Sequence, residues 1–235
     1  MKIYRPHDLE LYATNDWILP LLRQYETMVD SELRTHKWLG EIIAKRMIYA
    51  DVYGDILRKP QPSISVLDVG GGINSLTKLL AQNSNYTLLD FFAHSDKAEV
   101  STYLTCYSMK MINSDWYDFV PTQNYDVVIA NDIFPDVDQR LELFMELYLP
   151  LCHEMRLVIT YYNSPRFYTT KRIDDTEIMT FLSWDGEITA LKLKNYLSRM
   201  MDTASADLLA MPSDNDSVFR NGRQVAYIAL YGDLL

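Results

Sequence analysis

Three consecutive glycines, Gly70, Gly71 and Gly72, stand between a β-branched apolar run and a stretch with helical periodicity. Glycine there lets the backbone turn sharply and lets a ligand approach where a Cβ would collide. A helix after such a turn offers unbonded N–H groups and a positive dipole end. Asp90, with Phe91 beside it, closes the next apolar run. A carboxylate there can accept two hydrogen bonds from a ribose diol. The pattern predicts an adenosine-bearing cofactor above the carboxyl ends of parallel strands. The nicotinamide fingerprint Gly-x-Gly-x-x-Gly/Ala would meet Ser75 at its third position. Asp68, two residues before the first glycine, would repel a pyrophosphate but suits a ligand carrying an ammonium and a sulfonium.

The elements around these residues follow from periodicity. Residues 1–59 read as helical. Asp16 can cap a helix running from Trp17 toward Leu33, with a buried stripe of Ile18, Leu21, Leu22, Tyr25, Val29 and Leu33. A second stripe runs Trp38, Leu39, Ile42, Ile43, Met47, Ala50, and both Trp17 and Trp38 read as core. Pro60-Gln61-Pro62 ends this region. Strands follow at Ile64–Val69, Tyr86–Leu89, Met109–Ile112, Tyr125–Ala130 and Leu157–Tyr161. Helices are expected at Ser75–Gln82, at Ser95–Tyr107 and through Leu141, Phe144, Met145 and Leu147. A helix from Glu187 to Met200 precedes strands at Leu208–Met211 and Gln224–Tyr231, and Asn221-Gly222 suggests a hairpin between those two. The expected fold is α/β and doubly wound: a mostly parallel seven-stranded sheet with an antiparallel C-terminal hairpin strand and an N-terminal helical extension. Two units result, a helical segment 1–59 covering the substrate and a Rossmann-like domain 60–235.

Composition narrows the partners. Of 235 residues, 22 are Lys or Arg and 32 are Asp or Glu, so the net charge is −10, and no Lys/Arg run exceeds two. A nucleic-acid grip is not expected from such a chain. The segment Met1–Asp8 has no apolar core, and no apolar run approaches the roughly 18 residues of a membrane helix. Cys106 and Cys152 make neither a disulfide framework nor a zinc pattern. A cytoplasmic protein with no metal and no membrane partner is expected.

Val66-Leu67-Asp68-Val69-Gly70-Gly71-Gly72 resembles the first motif of class I S-adenosylmethionine-dependent methyltransferases, apolar-apolar-acid-x-Gly-x-Gly-x-Gly, with Asn74 where the last glycine would stand. The resemblance extends over roughly residues 35–235 and implies S-adenosylmethionine as cofactor. It implies that Asp90 binds the ribose hydroxyls and that Ser114-Asp115-Trp116 lies along the adenine. Asp126 to Asp132, including Asn131, would flank the reacting methyl. The helix around Lys45 and Arg46 would close the methionine end, with Arg46 among the cofactor contacts.

Methyl transfer to an alcohol needs the hydroxyl proton removed by a group within about 3 Å. Asp132 is the expected base or acceptor-positioning group, with Asp136, Tyr161 and Tyr162 as further substrate contacts. Asn163 to Arg172 is polar, aromatic and basic and reads as a substrate loop, with Arg166 in contact with the acceptor. Its charge against an acidic background points to a sugar-phosphate or nucleotide-linked sugar acceptor. The expected activity is therefore methylation of a small molecule, at oxygen rather than nitrogen, by a chain free to form a homodimer. The competing readings are a nicotinamide-dependent oxidoreductase and a catalytically silent binding module of the same fold.

Overall fold

A computed structural model describes residues 1–28, 30, 33–92, 100–101, 109–171, 178–201, 209 and 217–234. Strands are β1 (Lys2–Ile3), β2 (Ser65–Val69), β3 (Asn85–Asp90), β4 (Lys110–Asn113), β5 (Tyr125–Phe134), β6 (Cys152–Tyr161), β7 (Arg166–Lys171), β8 (Ile178–Ser183) and β9 (Gln224–Tyr231). Helices are α1 (Pro6–Ala13), α2 (Ile18–Tyr25), α3 (Arg34–Glu41), α4 (Ile43–Arg58), α5 (Ser75–Asn83), α6 (Leu141–Tyr148) and α7 (Gly186–Leu193). Seven strands form one sheet in the order β4-β3-β2-β5-β6-β9-β1. Pairing is parallel from β4 through β6, while β9 runs antiparallel to β6 and to β1. The doubly wound, mostly parallel sheet expected from the sequence is present, and β9 is its antiparallel member.

Period-2 alternation sends each central strand's side chains to two cores. Leu67, Val69, Val128 and Ala130 join Phe134, Phe144 and Tyr148 on one face. Val66, Val127 and Ile129 join Tyr53, Ile56, Leu76 and Leu80 under α4 and α5 on the other. A fully buried side chain of this size contributes about 1.5–3 kcal/mol, which is why the central strands are nearly all apolar.

Several elements differ from their sequence expectations. The helix expected from Trp17 to Leu33 stops at Tyr25, because Asp30 Oδ2 accepts both Thr27 N–H and Thr27 Oγ–H and so turns the chain. Asp16 still serves the start of α2, accepting Leu19 N–H at 3.3 Å. The second stripe is split at Ile42, whose extended backbone separates α3 from α4. The outer neighbour of β9 is β1, with Lys2 opposite Tyr227. The hairpin strand expected at Leu208–Met211 lies, apart from the buried Leu209, outside the described residues. So does the helix expected at Ser95–Tyr107, apart from residues 100 and 101. The expected loop at 163–172 contains β7, which pairs with β8 in a separate hairpin, so the β-branched and aromatic run Phe167 to Thr170 extends. Among the described residues no helix is long and apolar enough to cross a membrane.

Candidate active site

Strand order reverses between β2 and β5, and at that switch point the carboxyl ends of β2, β3 and β5 open into a cavity of about 530 Å³. Ligands of open α/β sheets bind in this crevice, and the volume suits a small-molecule ligand. Gly70, Gly71, Gly72, Asn74, Asp90, Phe91, Asp115, Trp116, Asn131 and Asp132 all line it. From the N-terminal segment, Thr35, Trp38, Leu39, Lys45, Ile48 and Tyr49 close its other side. Trp38 is therefore a wall of the cavity as well as part of the helical segment, with Lys45 Nζ 4.8 Å from its ring centre.

The glycine turn is fixed by backbone geometry. Gly70 and Gly72 have φ of +67° and +66°, the left-handed region that L side chains rarely adopt. A Cβ on Gly70 would lie 2.7 Å from Ile133 Cδ1. One on Gly71 would fall onto the Asp68 carboxylate. Asp68 thus sits behind the turn and not among the cavity-lining residues. Tyr86 Oη of β3 donates to it at 2.5 Å and Tyr53 Oη of α4 at 3.1 Å. Burial pushes its pKa up to about 7 against those two donors. Tyr53 also reaches Asn131, and Tyr49 reaches Asn74, so hydroxyls of α4 brace both cavity-lining asparagines. The role read for Asp68 changes accordingly: it braces the turn from below.

Asp90 accepts Gly72 N–H at 3.0 Å and Phe92 N–H at 2.6 Å. Burial raises its pKa, partly opposed by those N–H groups. A carboxylate has about four lone-pair sites, so Asp90, which lines the cavity, keeps capacity to accept from a diol. The α5 terminus, by contrast, has spent its donors. Leu76 N–H goes to the Asn74 side chain at 2.9 Å, Asn74 N–H to Thr77 Oγ1 at 3.0 Å and Ser75 N–H to His36 Nδ1 at 3.5 Å. A pyrophosphate would need those groups. The residues fit a diol-bearing adenosine ligand without a pyrophosphate.

Asp115 also caps the turn after β4, accepting Tyr117 N–H at 2.8 Å, and meets Arg140 Nη2 at 3.3 Å. Trp116 donates its Nε1–H to Asp138 at 2.9 Å and has the Arg140 guanidinium 4.6 Å above its ring. The cavity wall on this side is a fixed aromatic surface.

At the opposite end β5 bulges, its register with β6 shifting between Asn131 and Phe134. Asp132 takes φ of +62° there, uncommon for a residue with a Cβ and costly unless its surroundings impose it. Burial raises its pKa, but the charges of Arg223 and Lys45 outweigh it and hold the carboxyl below its ordinary value.

The remaining expected site residues lie outside the lining. Arg46 turns away: its Nε meets Asp16 Oδ2 at 2.7 Å and its Nη1 meets the carbonyls of Leu39 and Gly40, which the break at Ile42 leaves without helical partners. Lys45, one residue earlier, is the side chain that reaches the cavity. Asp136 accepts Ser183 Oγ–H at 2.8 Å, and burial raises its pKa. Tyr161 is fully buried in the core of the α6 face. Arg166 lies over the Tyr162 ring at 4.5 Å and donates to the Asn221 carbonyl at 3.3 Å. Sequence reasoning missed Arg223, Phe219 and Phe181, all of which line the cavity. The one sequence signal for Arg223 is its position after Asn221-Gly222 and before a terminal strand.

No protein-family model matches the chain, and no curated protein matches its sequence. Solved structures do match. DhpI in complex with S-adenosylhomocysteine superposes over 91% of this chain and 98% of its own, at TM-score 0.50 and 14% identity. The N-terminal domain of EvdMO1 with S-adenosylhomocysteine bound covers 92% of this chain and 95% of its own, at TM-score 0.53 and 9% identity. The chain has the class I methyltransferase fold. At these identities the likeness is one of fold. Within that fold the cavity occupies the crevice at the strand-order reversal.

Proposed function

We propose that the chain is an S-adenosylmethionine-dependent methyltransferase that methylates a hydroxyl, in preference to an amine, of a small molecule. The observation that carries this reading is Asp90. It is tied to the glycine turn, keeps lone pairs toward the cavity, and sits beside a helix terminus whose donors are already used. That combination suits a ribose without a pyrophosphate and argues against the nicotinamide alternative.

In this reading Gly70 to Gly72, Asn74, Asp90, Phe91, Asp115, Trp116 and Asn131 hold the cofactor, and residues 1–59 cover it. Bound there, S-adenosylmethionine supplies a methyl group already activated by a positive sulfur. The protein's task is then chiefly alignment, which in well-placed systems supplies about 7–11 kcal/mol. Asp132 orients the acceptor hydroxyl. It takes the hydroxyl proton as the O–CH₃ bond forms and the S–CH₃ bond breaks, the electron pair leaving with sulfur. Lys45 and Arg223 keep that carboxylate ionised, so it is present as an acceptor at neutral pH. Apolar walls at Leu89 and Ile133 limit water around the transfer.

Calorimetric titration of the full chain tests the reading. S-adenosylhomocysteine should bind one site per chain, and NADH should give no saturable heat. Binding of NADH without binding of S-adenosylhomocysteine would overturn it.

A further inference from the structure

Around Asp132 the cavity holds two cations that are incompletely engaged. Lys45 Nζ is 3.5 Å from Asp132 Oδ2, and Arg223 Nη1 is 3.4 Å from Asp132 Oδ1 and 3.8 Å from Asp136 Oδ2. Hydrogen bonds between charged groups ordinarily measure about 2.7–2.9 Å. The same chain reaches that length elsewhere: Arg46–Asp16, Lys78–Asp30 and Arg156–Asp55 all close to 2.7 Å. Around Asp132 the Lys and Arg contacts are longer.

Arg223 carries a second observation. Its Nε–H is shut off from solvent and has no hydrogen-bond partner among the described residues. A buried donor without a partner is costly, and more so when it is charged. The guanidinium carbon lies 4.4 Å from the Phe219 ring centre, and Phe181 lines the same cavity. An aromatic face therefore supports the guanidinium, while one donor stays unspent. A guanidinium edge matches a planar or tetrahedral oxyanion, which it can hold by two parallel N–H bonds. Asp136 is a weak competitor for it, being engaged by Ser183 Oγ–H.

Resting on the methyltransferase reading, we infer that the methyl acceptor is a small molecule bearing an oxyanion, a carboxylate or a phosphoryl group. Arg223 binds it through the part of its guanidinium that lines the cavity, Lys45 supplies the second charge, and Phe181 and Phe219 receive the acceptor's apolar body. The anion-binding charge thus comes from α4 and the residue before β9. Arg166, on the expected substrate loop, is turned toward Tyr162 and Asn221.

The test uses the full chain saturated with S-adenosylhomocysteine at constant ionic strength, read by thermal stabilisation and by heat of binding. The probes are benzoate, inorganic phosphate, and benzyl alcohol as the same ring without the charge. A saturable response to benzoate or phosphate, with little to benzyl alcohol, is expected. The stronger of the two anions tells carboxylate from phosphoryl. Arg223→Gln should weaken the anion by roughly ten- to a hundredfold, and Lys45→Gln by less. Circular dichroism checks that each variant is folded, and if Arg223→Gln is not, Lys45→Gln carries the test. Three results would each overturn the inference: no response to either anion, equal responses to benzoate and benzyl alcohol, or a folded variant that binds the anion as the parent does. Absent S-adenosylhomocysteine binding instead defeats the methyltransferase reading, and the anion titrations repeated without it still decide this inference.

Discussion

Where the glycine turn meets the cavity, Gly72 and Phe92 both donate to Asp90, at 3.0 and 2.6 Å, and Asp68 beneath is held by two tyrosines. Where Asp132 meets the same cavity, the ion contacts stand at 3.4–3.8 Å and a guanidinium N–H has no partner among the described residues. One end is complete before a ligand arrives, and the other lacks a partner that a ligand can supply. Preorganised groups lose little entropy on binding, so the finished end suits a ligand that never changes. The unfinished end suits a partner whose chemistry sets specificity, because a polar site left unpaired rejects the wrong ligand strongly. In the proposed reading these are the cofactor and acceptor ends.

The largest expected effect breaks the Asp132 end alone. Asp132→Asn should lower turnover at saturating cofactor by about 10²–10⁴-fold, the usual cost of losing a general base. Affinity for S-adenosylhomocysteine should change little. Steady-state kinetics on an acceptor found among oxyanion-bearing small molecules measures the first, and calorimetry the second. Turnover equal to the parent's removes Asp132 from the chemistry.

Breaking the other end should move the complementary quantity. Asp90→Ala removes a charged acceptor worth about 1.5–3 kcal/mol, so S-adenosylhomocysteine affinity should fall by roughly ten- to a hundredfold. The anion response attributed to Arg223 should survive. An Asp90→Ala chain that is folded and binds S-adenosylhomocysteine normally contradicts the assignment of that end.

The smallest effect sharpens the comparison through pH. Asp68 carries a pKa of about 7 in the fold against 3.8 for the free side chain. The fold thus favours its protonated form. Its stabilising contribution is complete below the lower value and is lost as pH rises through the upper one. Thermal melts should show the parent chain losing stability relative to Asp68→Asn between about pH 4 and about pH 7. Parallel curves would mean that Asp68 titrates as an ordinary carboxylate.

What the sequence revealed was local. Three glycines, the acid after the second strand and the apolar runs of β2, β3 and β5 needed only neighbours along the chain, and they gave the sheet and the cofactor end. Alternation along Val66 to Val69 already sets Asp68 on the opposite face from Leu67 and Val69, though its motif position suggested a ligand contact. Lys45 and Arg46 are about 100° apart on one helix, and the break at Ile42 decides which of them meets the cavity. Arg166 and Arg223 could not be ranked from sequence, since charge alone says nothing of where a loop folds back. The acceptor end is assembled from α4, β5, β8 and the residues before β9, all far apart in sequence, and was accordingly the least legible.

The pairing of β1 with β9 has a consequence for how the chain is made. Lys2 meets Tyr227, and Tyr4 N–H meets the Val225 carbonyl at 3.0 Å. These are among the most sequence-distant contacts in the molecule, of the kind that slow folding because a long loop must close first. Tyr4 is fully buried, so the first residues have no settled place until the last strand exists. During synthesis from the N-terminus, β2, β3 and β5 can associate while β1 still lacks its neighbour. The sheet edge, and the anchor of the helices that roof the cavity, is completed only after β9 has left the ribosome.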